Sequence, residues 1–239
     1  MIQHWNHWLD HALGLELLKS EKQFLTHLLE KLHGKHAVLI GLPKQYDLLR
    51  STSLSFHYLV TPFIHHEKTE NCIEGSWKEL PISSGSVDLV IMPHTLEYVD
   101  NPHHVLSEAC RIVKPEGSIV ILNFNPLSLW GLQELFTQAR KGNLLSKSTV
   151  KQWLTLADFE LIKQDTFLFR PPLSKENLFE KMGVMEWIGT KSLLPLGGVY
   201  VLFAKAKVIP LSPIRLRWKQ KELSGIRASI PGPSTRNTP

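Results

Sequence analysis

The sequence predicts an α/β fold in which a doubly wound, mostly parallel sheet carries helices on both faces. Two nearly unbroken apolar runs, residues 87–92 and 119–122, have the composition of strands that are covered on both sides. Between them, Asn101 can cap a helix whose first turn holds Pro102 and whose apolar residues recur at helical spacing. Strand, helix and strand in this order indicate a parallel crossover, for which residues 93–117 are long enough.

Further elements are expected on both sides of this crossover. An amphipathic helix that ends near Gly34 should precede the first strand. The other predicted elements are strands over residues 36–41, 55–60, 159–169 and 198–206, helices over 146–157 and 175–188, and a type I turn at 114–117. Because parallel sheets bind ligands at the carboxyl ends of their strands, we expect a site near residues 92–97 and 123–128.

Several short motifs, in the same order and register, resemble the class I S-adenosylmethionine-dependent methyltransferases, and most closely the kind called methyltransferase type 11. These motifs are Leu80-Pro81 before a strand, Asp88 near the start of that strand, the segment Leu96-Glu97-Tyr98-Val99, and the turn over residues 111–117. The resemblance implies a Rossmann-like sheet that is completed by a final antiparallel strand, here residues 198–206. It also implies S-adenosylmethionine as the cofactor.

The first motif of that family is degenerate in this chain. After the first strand the family has an acidic residue and several glycines, whereas this sequence reads Ile40-Gly41-Leu42-Pro43-Lys44. Pro43 has no backbone N–H, so fewer backbone donors can face a ligand. The second strand also lacks the acidic residue that binds the ribose hydroxyls in the family. The sequence therefore contains only some of the cofactor-binding residues that the family has.

The resemblance places cofactor-binding residues after three of the predicted strands. They are Ile40, Gly41, Leu42, Ser76, Trp77, Met92, Pro93 and His94. Ser76 can make one hydrogen bond at the position where the family contacts adenine. Trp77 can cover an adenine ring by stacking, or it can plug the pocket instead.

Candidate catalytic and substrate-binding residues follow from the chemistry that the resemblance implies, which is nucleophilic displacement at a sulfonium methyl group. His94 and Glu97 share a helix face beside the expected site and are the candidate general bases, or else they cap the helix and line the pocket. The candidate substrate residues are Asn123, Asn125, Ser128, Trp130 and Arg170. The alternative for these residues is turn formation, core packing and simple exposure.

The positive charge of the chain is concentrated at its carboxyl end. Residues 205–239 contain eight basic residues and one acidic residue, a balance of +7, so the preceding 204 residues carry −2 of the total +5. The sequence therefore predicts a helical segment over 1–34 packed on the core, a methyltransferase-like domain over 35–206, and a basic, disordered tail over 207–239. The tail could make weak contact with nucleic acid or an anionic surface, or could only aid solubility.

Cysteine usage and hydropathy predict a cytoplasmic protein without a membrane-spanning segment. Cys72 and Cys110 lack a partner at metal-ligand spacing, and no apolar run approaches about 18 residues. His4, His7 and His11 fall on one helix face, but without accompanying cysteine ligands they are not expected to bind a metal.

Two functional hypotheses remain open at this stage. The first is a methyltransferase that transfers the methyl group of S-adenosylmethionine to a small molecule or a nucleic acid. The second is a binding or regulatory protein that kept the fold and lost the cofactor, for which the degenerate first motif is the supporting observation. Other Rossmann-like enzymes fit less well because the sequence contains no GxGxxG, GxSxG or GxxxxGK motif.

Overall fold

The computed structural model describes residues 2–63, 71–131, 143–169 and 197–208, together with Gly232. The strands of this part of the chain are β1 (His36–Ile40), β2 (Phe56–Thr61), β3 (Cys72–Glu74), β4 (Val87–Pro93), β5 (Val113–Phe124), β6 (Phe159–Phe167) and β7 (Val199–Ala206). The α-helices are α1 (Ile2–Trp8), α2 (Ala12–Leu29), α3 (Pro102–Ile112) and α4 (Lys147–Leu156), and 3₁₀ helices cover Pro43–Ser51 and Thr95–Glu97.

The strands form one seven-stranded sheet in the order β3-β2-β1-β4-β5-β7-β6. The five strands from β3 to β5 are parallel, whereas β7 runs antiparallel to both β5 and β6. This topology confirms the predicted Rossmann-like sheet and its final antiparallel strand. Because the chain order reverses between β1 and β4, the crevice at the carboxyl ends of these two strands is the topological switch point.

The central crossover forms as predicted, except at its last turn. The Asn101 side chain accepts a hydrogen bond from the His104 backbone N–H at 3.2 Å and so caps α3. The type I turn predicted at residues 114–117 is wrong, because Glu116 has a φ of 64° and lies within β5. A type I turn requires a negative φ at its third residue.

The amino-terminal segment contains two helices where the sequence predicts one. The helix α2 ends at Leu29 rather than near Gly34. Gly34 instead passes close to β4, where an added Cβ atom would lie 2.7 Å from the Cβ of Asp88. Close packing against the sheet, and not a helix cap, accounts for the glycine at this position.

Two predicted segments lie outside the described residues. They are the helix over residues 175–188 and almost all of the basic tail. Met1–Val208 form one compact unit and Ile209–Pro239 a second, and the predicted domain boundaries stay predictions. None of the described helices is long and apolar enough to cross a membrane.

Asp88 connects the amino end of β4 to both neighbouring strands. One carboxylate oxygen accepts the backbone N–H groups of Lys35 at 3.1 Å and His36 at 2.9 Å. The Lys114 ammonium group donates to the same carboxylate at 2.9 Å. The acidic residue of the sequence motif therefore fixes the register of three adjacent strands, far from the carboxyl ends where the site lies.

We expect Asp88→Asn to lower the free energy of unfolding by about 1–3 kcal/mol, because it weakens two backbone contacts and one ion pair that are partly buried. The matched control is Asp47→Asn, which removes exposed ion pairs with Lys22 and Arg50 and should cost less than about 1 kcal/mol. Urea unfolding of both variants measures the difference. Equal losses would contradict the role given to Asp88.

Candidate functional site

A cavity of about 650 Å³ lies at the carboxyl edge of the sheet, between α1 and the ends of three strands. Its walls come from Ile2 and Gln3 of α1, residues 62–63 after β2, residues 74–78 at and after the end of β3, and residues 98–100 after β4. This is the edge at which parallel sheets bind ligands, and the volume is typical of sites for small molecules. The cavity is therefore the first candidate for a ligand site.

Ser76 and Trp77 are the two predicted cofactor-binding residues that line this cavity. The Trp77 indole N–H donates to the Val60 carbonyl at 3.0 Å, and this bond fixes the side chain against β2. The Ser76 hydroxyl oxygen is exposed and accepts the Lys78 backbone N–H at 3.2 Å. The cavity is open with Trp77 in its wall, so the tryptophan does not plug it.

The switch-point crevice between β1 and β4 is closed by two side chains. Gln45, which is 1% exposed, accepts the Leu42 backbone N–H at 2.9 Å and donates to the Pro93 carbonyl at 3.1 Å. The Thr95 hydroxyl donates to the Ile40 carbonyl. The backbone groups that the sequence offers to a cofactor here are therefore already hydrogen-bonded within the chain.

Gly41 makes room for this closure. An added Cβ atom would lie 2.6 Å from the side-chain oxygen of Gln45 and 2.8 Å from a methyl group of Leu39. Met92, the remaining predicted residue of this edge, is fully buried in the core. The single glycine left from the first motif thus accommodates a neighbouring side chain.

His94 lies at the centre of a buried charged cluster that we call the acid–histidine cluster, formed by Glu21, His94 and Glu97. Its Nε2 atom is 2.7 Å from Oε1 of Glu21, and its Nδ1 atom is 3.0 Å from Oε2 of Glu97. The other oxygen of Glu97 accepts the Phe124 backbone N–H. These contacts join α2 to the carboxyl ends of β4 and β5.

The acid–histidine cluster holds its imidazole in the charged form. Burial disfavours a charged His94, but the charges of Glu97 and Glu21 outweigh this effect and raise its pKa to about 10. Burial also raises the pKa of Glu97, against the opposing charge of His94. Both oxygens of Glu97 face hydrogen-bond donors, the His94 ring and the Phe124 backbone N–H, and these contacts favour its carboxylate form.

This geometry argues against the general-base role that the sequence suggests for His94 and Glu97. Both ring nitrogens of His94 are engaged, and both side chains are at most 2% exposed. An imidazolium has no free lone pair with which to accept a proton. The catalytic assignment stays a prediction, and the contacts favour a positioning role.

The sequence reasoning missed Glu21, although a signal for it was present. In α2 the buried residues Leu17, Leu25 and Leu29 lie on one face, and Glu21 occupies the same face at the same spacing of four. A glutamate in the middle of an apolar stripe must be paired, because an isolated buried carboxylate is costly. Its partner could not be read from the sequence, since His94 is 73 residues away.

An aromatic layer covers the acid–histidine cluster on the side of α1. Trp5, which is 2% exposed, stacks on Tyr98 and on Trp8 with ring centroids 4.7 Å apart in each case. It also meets the edge of Phe124 at 5.9 Å and lies 5.4 Å from His94. The amino-terminal helix therefore keeps water away from the buried charges.

The predicted substrate residues after β5 form a buried turn. The Asn123 amide donates to the Tyr200 hydroxyl at 3.0 Å, and the Asn125 amide donates to the Gly197 carbonyl at 3.0 Å. Ser128 donates to the Asn125 carbonyl at 2.7 Å, and Trp130 stacks on Phe124. None of the four lines the cavity, so their contacts match the alternative of turn formation and packing. Arg170 lies outside the described residues.

The described residues offer neither a metal site nor an activated thiol. No group of three or more His, Cys, Asp or Glu side chains in this part of the chain could hold a metal ion. Burial raises the pKa of Cys110 to about 12, and burial also raises the pKa of Cys72. Both thiols therefore stay protonated at neutral pH and are poor nucleophiles.

We expect protonation of His94 to make stability depend on pH. Its pKa is raised from 6.5 to about 10 by folding, so the stabilisation is complete below pH 6.5 and is lost as the pH rises towards 10. Between these values the free energy of unfolding should fall by up to about 1.4 kcal/mol per pH unit. Urea unfolding between pH 6.5 and about pH 7.5 measures the slope, below the pKa of about 8.5 of a cysteine thiol in the unfolded chain.

His94→Asn tests this assignment, because asparagine tolerates the left-handed backbone of that position, where φ is 57°. The variant should be less stable at pH 6.5 and should lose most of the slope. The control is His27→Asn, which changes an exposed histidine of α2 and should retain the slope. An unchanged slope in His94→Asn would assign the pH dependence to another group.

Comparison with known proteins gives the family of the chain. Residues 50–121 match the family model Methyltransf_11, described as a methyltransferase domain. The uncharacterized protein YafS of Escherichia coli (strain K12) is 30% identical over 210 residues, which cover 86% of this chain and 82% of YafS.

Solved structures share the fold at low sequence identity. A methyltransferase of Thermotoga maritima, described as S-adenosylmethionine-dependent and a possible histamine N-methyltransferase, superposes with a TM-score of 0.63 at 20% identity, covering 87% of this chain and 96% of that one. An S-adenosylmethionine-dependent methyltransferase of Archaeoglobus fulgidus gives a TM-score of 0.58 at 21% identity, covering 77% and 92%. The chain therefore belongs to the same family as YafS, contains a segment that matches a methyltransferase domain, and has the fold of class I S-adenosylmethionine-dependent methyltransferases.

Proposed function

We propose that this protein transfers the methyl group of S-adenosylmethionine to a small-molecule acceptor. The observation that carries the proposal is the cavity of about 650 Å³ at the carboxyl edge of the sheet. It adjoins the strand ends where this fold is expected to hold its cofactor. When bound, S-adenosylmethionine supplies the electrophilic methyl group, and the residues of the chain bind, orient and shield it.

The cavity residues fit the nucleoside half of the cofactor. Trp77, Tyr98 and Val99 give apolar wall for a purine ring, and the Ser76 hydroxyl adds a polar contact. Glu74 also lines the cavity. Its carboxylate is suited to accept hydrogen bonds from the two ribose hydroxyls.

Glu74 is a replacement for the acidic residue that is missing at the end of β2. In the sheet, Glu74 of β3 is the direct partner of Thr61, the last residue of β2. A carboxylate on the neighbouring strand therefore lies beside the position where the family has its own. The sequence does not indicate Glu74 for this role, because the family has its acidic residue at the end of the second strand and the pairing of β2 with β3 is seen only in the structure.

The amino-acid half of the cofactor does not fit this arrangement of the crevice. Gln45 and Thr95 occupy the hydrogen-bonding groups at the ends of β1 and β4. A ligand with an amino-acid group would have to displace Gln45. The filled crevice is also the observation that favours the second hypothesis, a non-catalytic protein with the methyltransferase fold.

The charge around the cavity favours a small acceptor over a nucleic acid. Glu74 and Asp100 carry negative charge there, and Lys78, the one basic side chain among the described residues of the cavity wall, lies 3.7 Å from Asp100. A polyanion would be repelled by a rim with this balance. The alternative is nucleic-acid contact through the basic tail, of which the structure describes only residues 207–208 and Gly232.

The acid–histidine cluster has a positioning role in this proposal. It fixes the end of β4 and the residues that follow, including Tyr98, which lines the cavity. The Trp5 ring stacks on Tyr98 and covers the same region. A methyl transfer depends on alignment and exclusion of water, which such a rigid, covered wall provides.

The first test is calorimetric titration with S-adenosylmethionine and, separately, with S-adenosylhomocysteine. We expect saturable binding of one ligand per chain. Incubation with methyl-tritiated S-adenosylmethionine should then label a pool of small metabolites in preference to total cellular RNA and DNA. Absence of binding by both ligands would favour the non-catalytic protein, whereas labelled nucleic acid would assign the alternative acceptor.

We expect Glu74→Gln to weaken binding of S-adenosylhomocysteine about tenfold, because hydrogen bonds to a charged acceptor are worth about 1.5–3 kcal/mol. The control is Glu79→Gln, which removes the same charge five residues later from an exposed side chain outside the cavity wall. Calorimetry of the three proteins gives the ratio. A loss of affinity shared by both variants would indicate a general charge effect instead of a ribose contact.

A further inference from the structure

We propose that Gln45 is an internal ligand that takes the place of an amino-acid group, so that this chain recognises the nucleoside part of its cofactor and gains little from the amino-acid part. The proposal rests on the proposed function, since it concerns the same cofactor. It goes beyond it by dividing the ligand into a recognised half and an excluded half.

The side chain of Gln45 has the hydrogen-bonding pattern of the group that it replaces. Its oxygen accepts the Leu42 N–H at 2.9 Å, as a ligand carboxylate would. Its nitrogen donates to the Pro93 carbonyl at 3.1 Å, as a ligand ammonium group would. The two backbone groups belong to the ends of β1 and β4, which border the switch-point crevice.

The local sequence holds Gln45 in this position. Pro43 begins the 3₁₀ helix Pro43–Ser51, and the Gln45 backbone N–H bonds to the Leu42 carbonyl at 2.9 Å, which turns the side chain back over the preceding loop. Gly41 leaves the space that the side-chain oxygen fills. The residues that replace the glycine-rich motif therefore build the closure.

A ligand that displaced Gln45 would gain two hydrogen bonds and break two. Because as many hydrogen bonds are broken as are formed, the exchange brings little net affinity. The open cavity is lined by residues 62–63 and 74–78 instead, and Gln45 is not part of its wall. Affinity should therefore come from contacts with the nucleoside.

The test compares two probes that differ only by the amino-acid group. S-adenosylhomocysteine carries this group, and 5′-methylthioadenosine has the same nucleoside and a thioether without it. Calorimetry on the full-length protein should give dissociation constants within about threefold of each other. This small ratio is the first expected result, because a charge-assisted contact to the amino-acid group would separate the two probes by tenfold or more.

Removal of the internal ligand should change this ratio. Gln45→Ala frees the Leu42 N–H and the Pro93 carbonyl, so S-adenosylhomocysteine should bind about tenfold more tightly while 5′-methylthioadenosine stays unchanged. Gln45→Met keeps the length of the side chain without its polar atoms, and it should shift the ratio in the same direction if the alanine variant fails to fold. Gln152→Ala, on the exposed side of α4, is the control and should change neither constant.

Two results would overturn the proposal while leaving the proposed function intact. One is a wild-type preference for S-adenosylhomocysteine of tenfold or more, because the amino-acid group would then be recognised with Gln45 present. The other is binding of both probes with a ratio that neither Gln45 variant alters. Failure of both probes to bind any of the proteins would instead contradict the proposed function, and the role of Gln45 with it.

Discussion

The arrangement of the carboxyl edge depends on the buried contact between the His94 imidazolium and the carboxylates of Glu21 and Glu97. The contact joins three elements that are distant in sequence, namely α2, the end of β4 and the end of β5. His94 holds a left-handed backbone with a φ of 57°, a conformation that costs a non-glycine residue about 1–3 kcal/mol. Removing one member would leave a buried charge unpaired, at a cost of about 3–5 kcal/mol.

Two consequences for the site follow from the contact of His94 with Glu21 and Glu97. The first is that both ring nitrogens of His94 are engaged in these contacts, which favours a positioning role over the general-base role that the sequence suggests. The second is that the residues after β4 have a fixed course, which places Thr95 against the Ile40 carbonyl on one side and Tyr98 in the cavity wall on the other. The acid–histidine cluster therefore borders both the closed switch-point crevice and the open cavity.

The part of the fold that the sequence predicted is the part in which local pattern and tertiary packing agree. The strands β4 and β5 read as apolar runs because both faces are covered, and Asn101 caps α3 through a contact three residues away. The site was harder to predict because its contacts span long separations. Gln45 binds Pro93 across 48 residues, and neither side chain nor spacing indicates this partner in the sequence.

The degenerate first motif is better explained as a substitution of contacts than as simple loss. Where the family uses glycines to bring backbone donors to a ligand, this chain uses the Leu42 N–H to hold Gln45, and Gly41 leaves the space that the Gln45 side chain fills. Where the family has an acidic residue at the end of β2, the adjacent Glu74 faces the cavity. In the recognition that we propose, the first change removes a contact for the amino-acid group and the second supplies a carboxylate for the ribose, so the nucleoside provides most of the affinity.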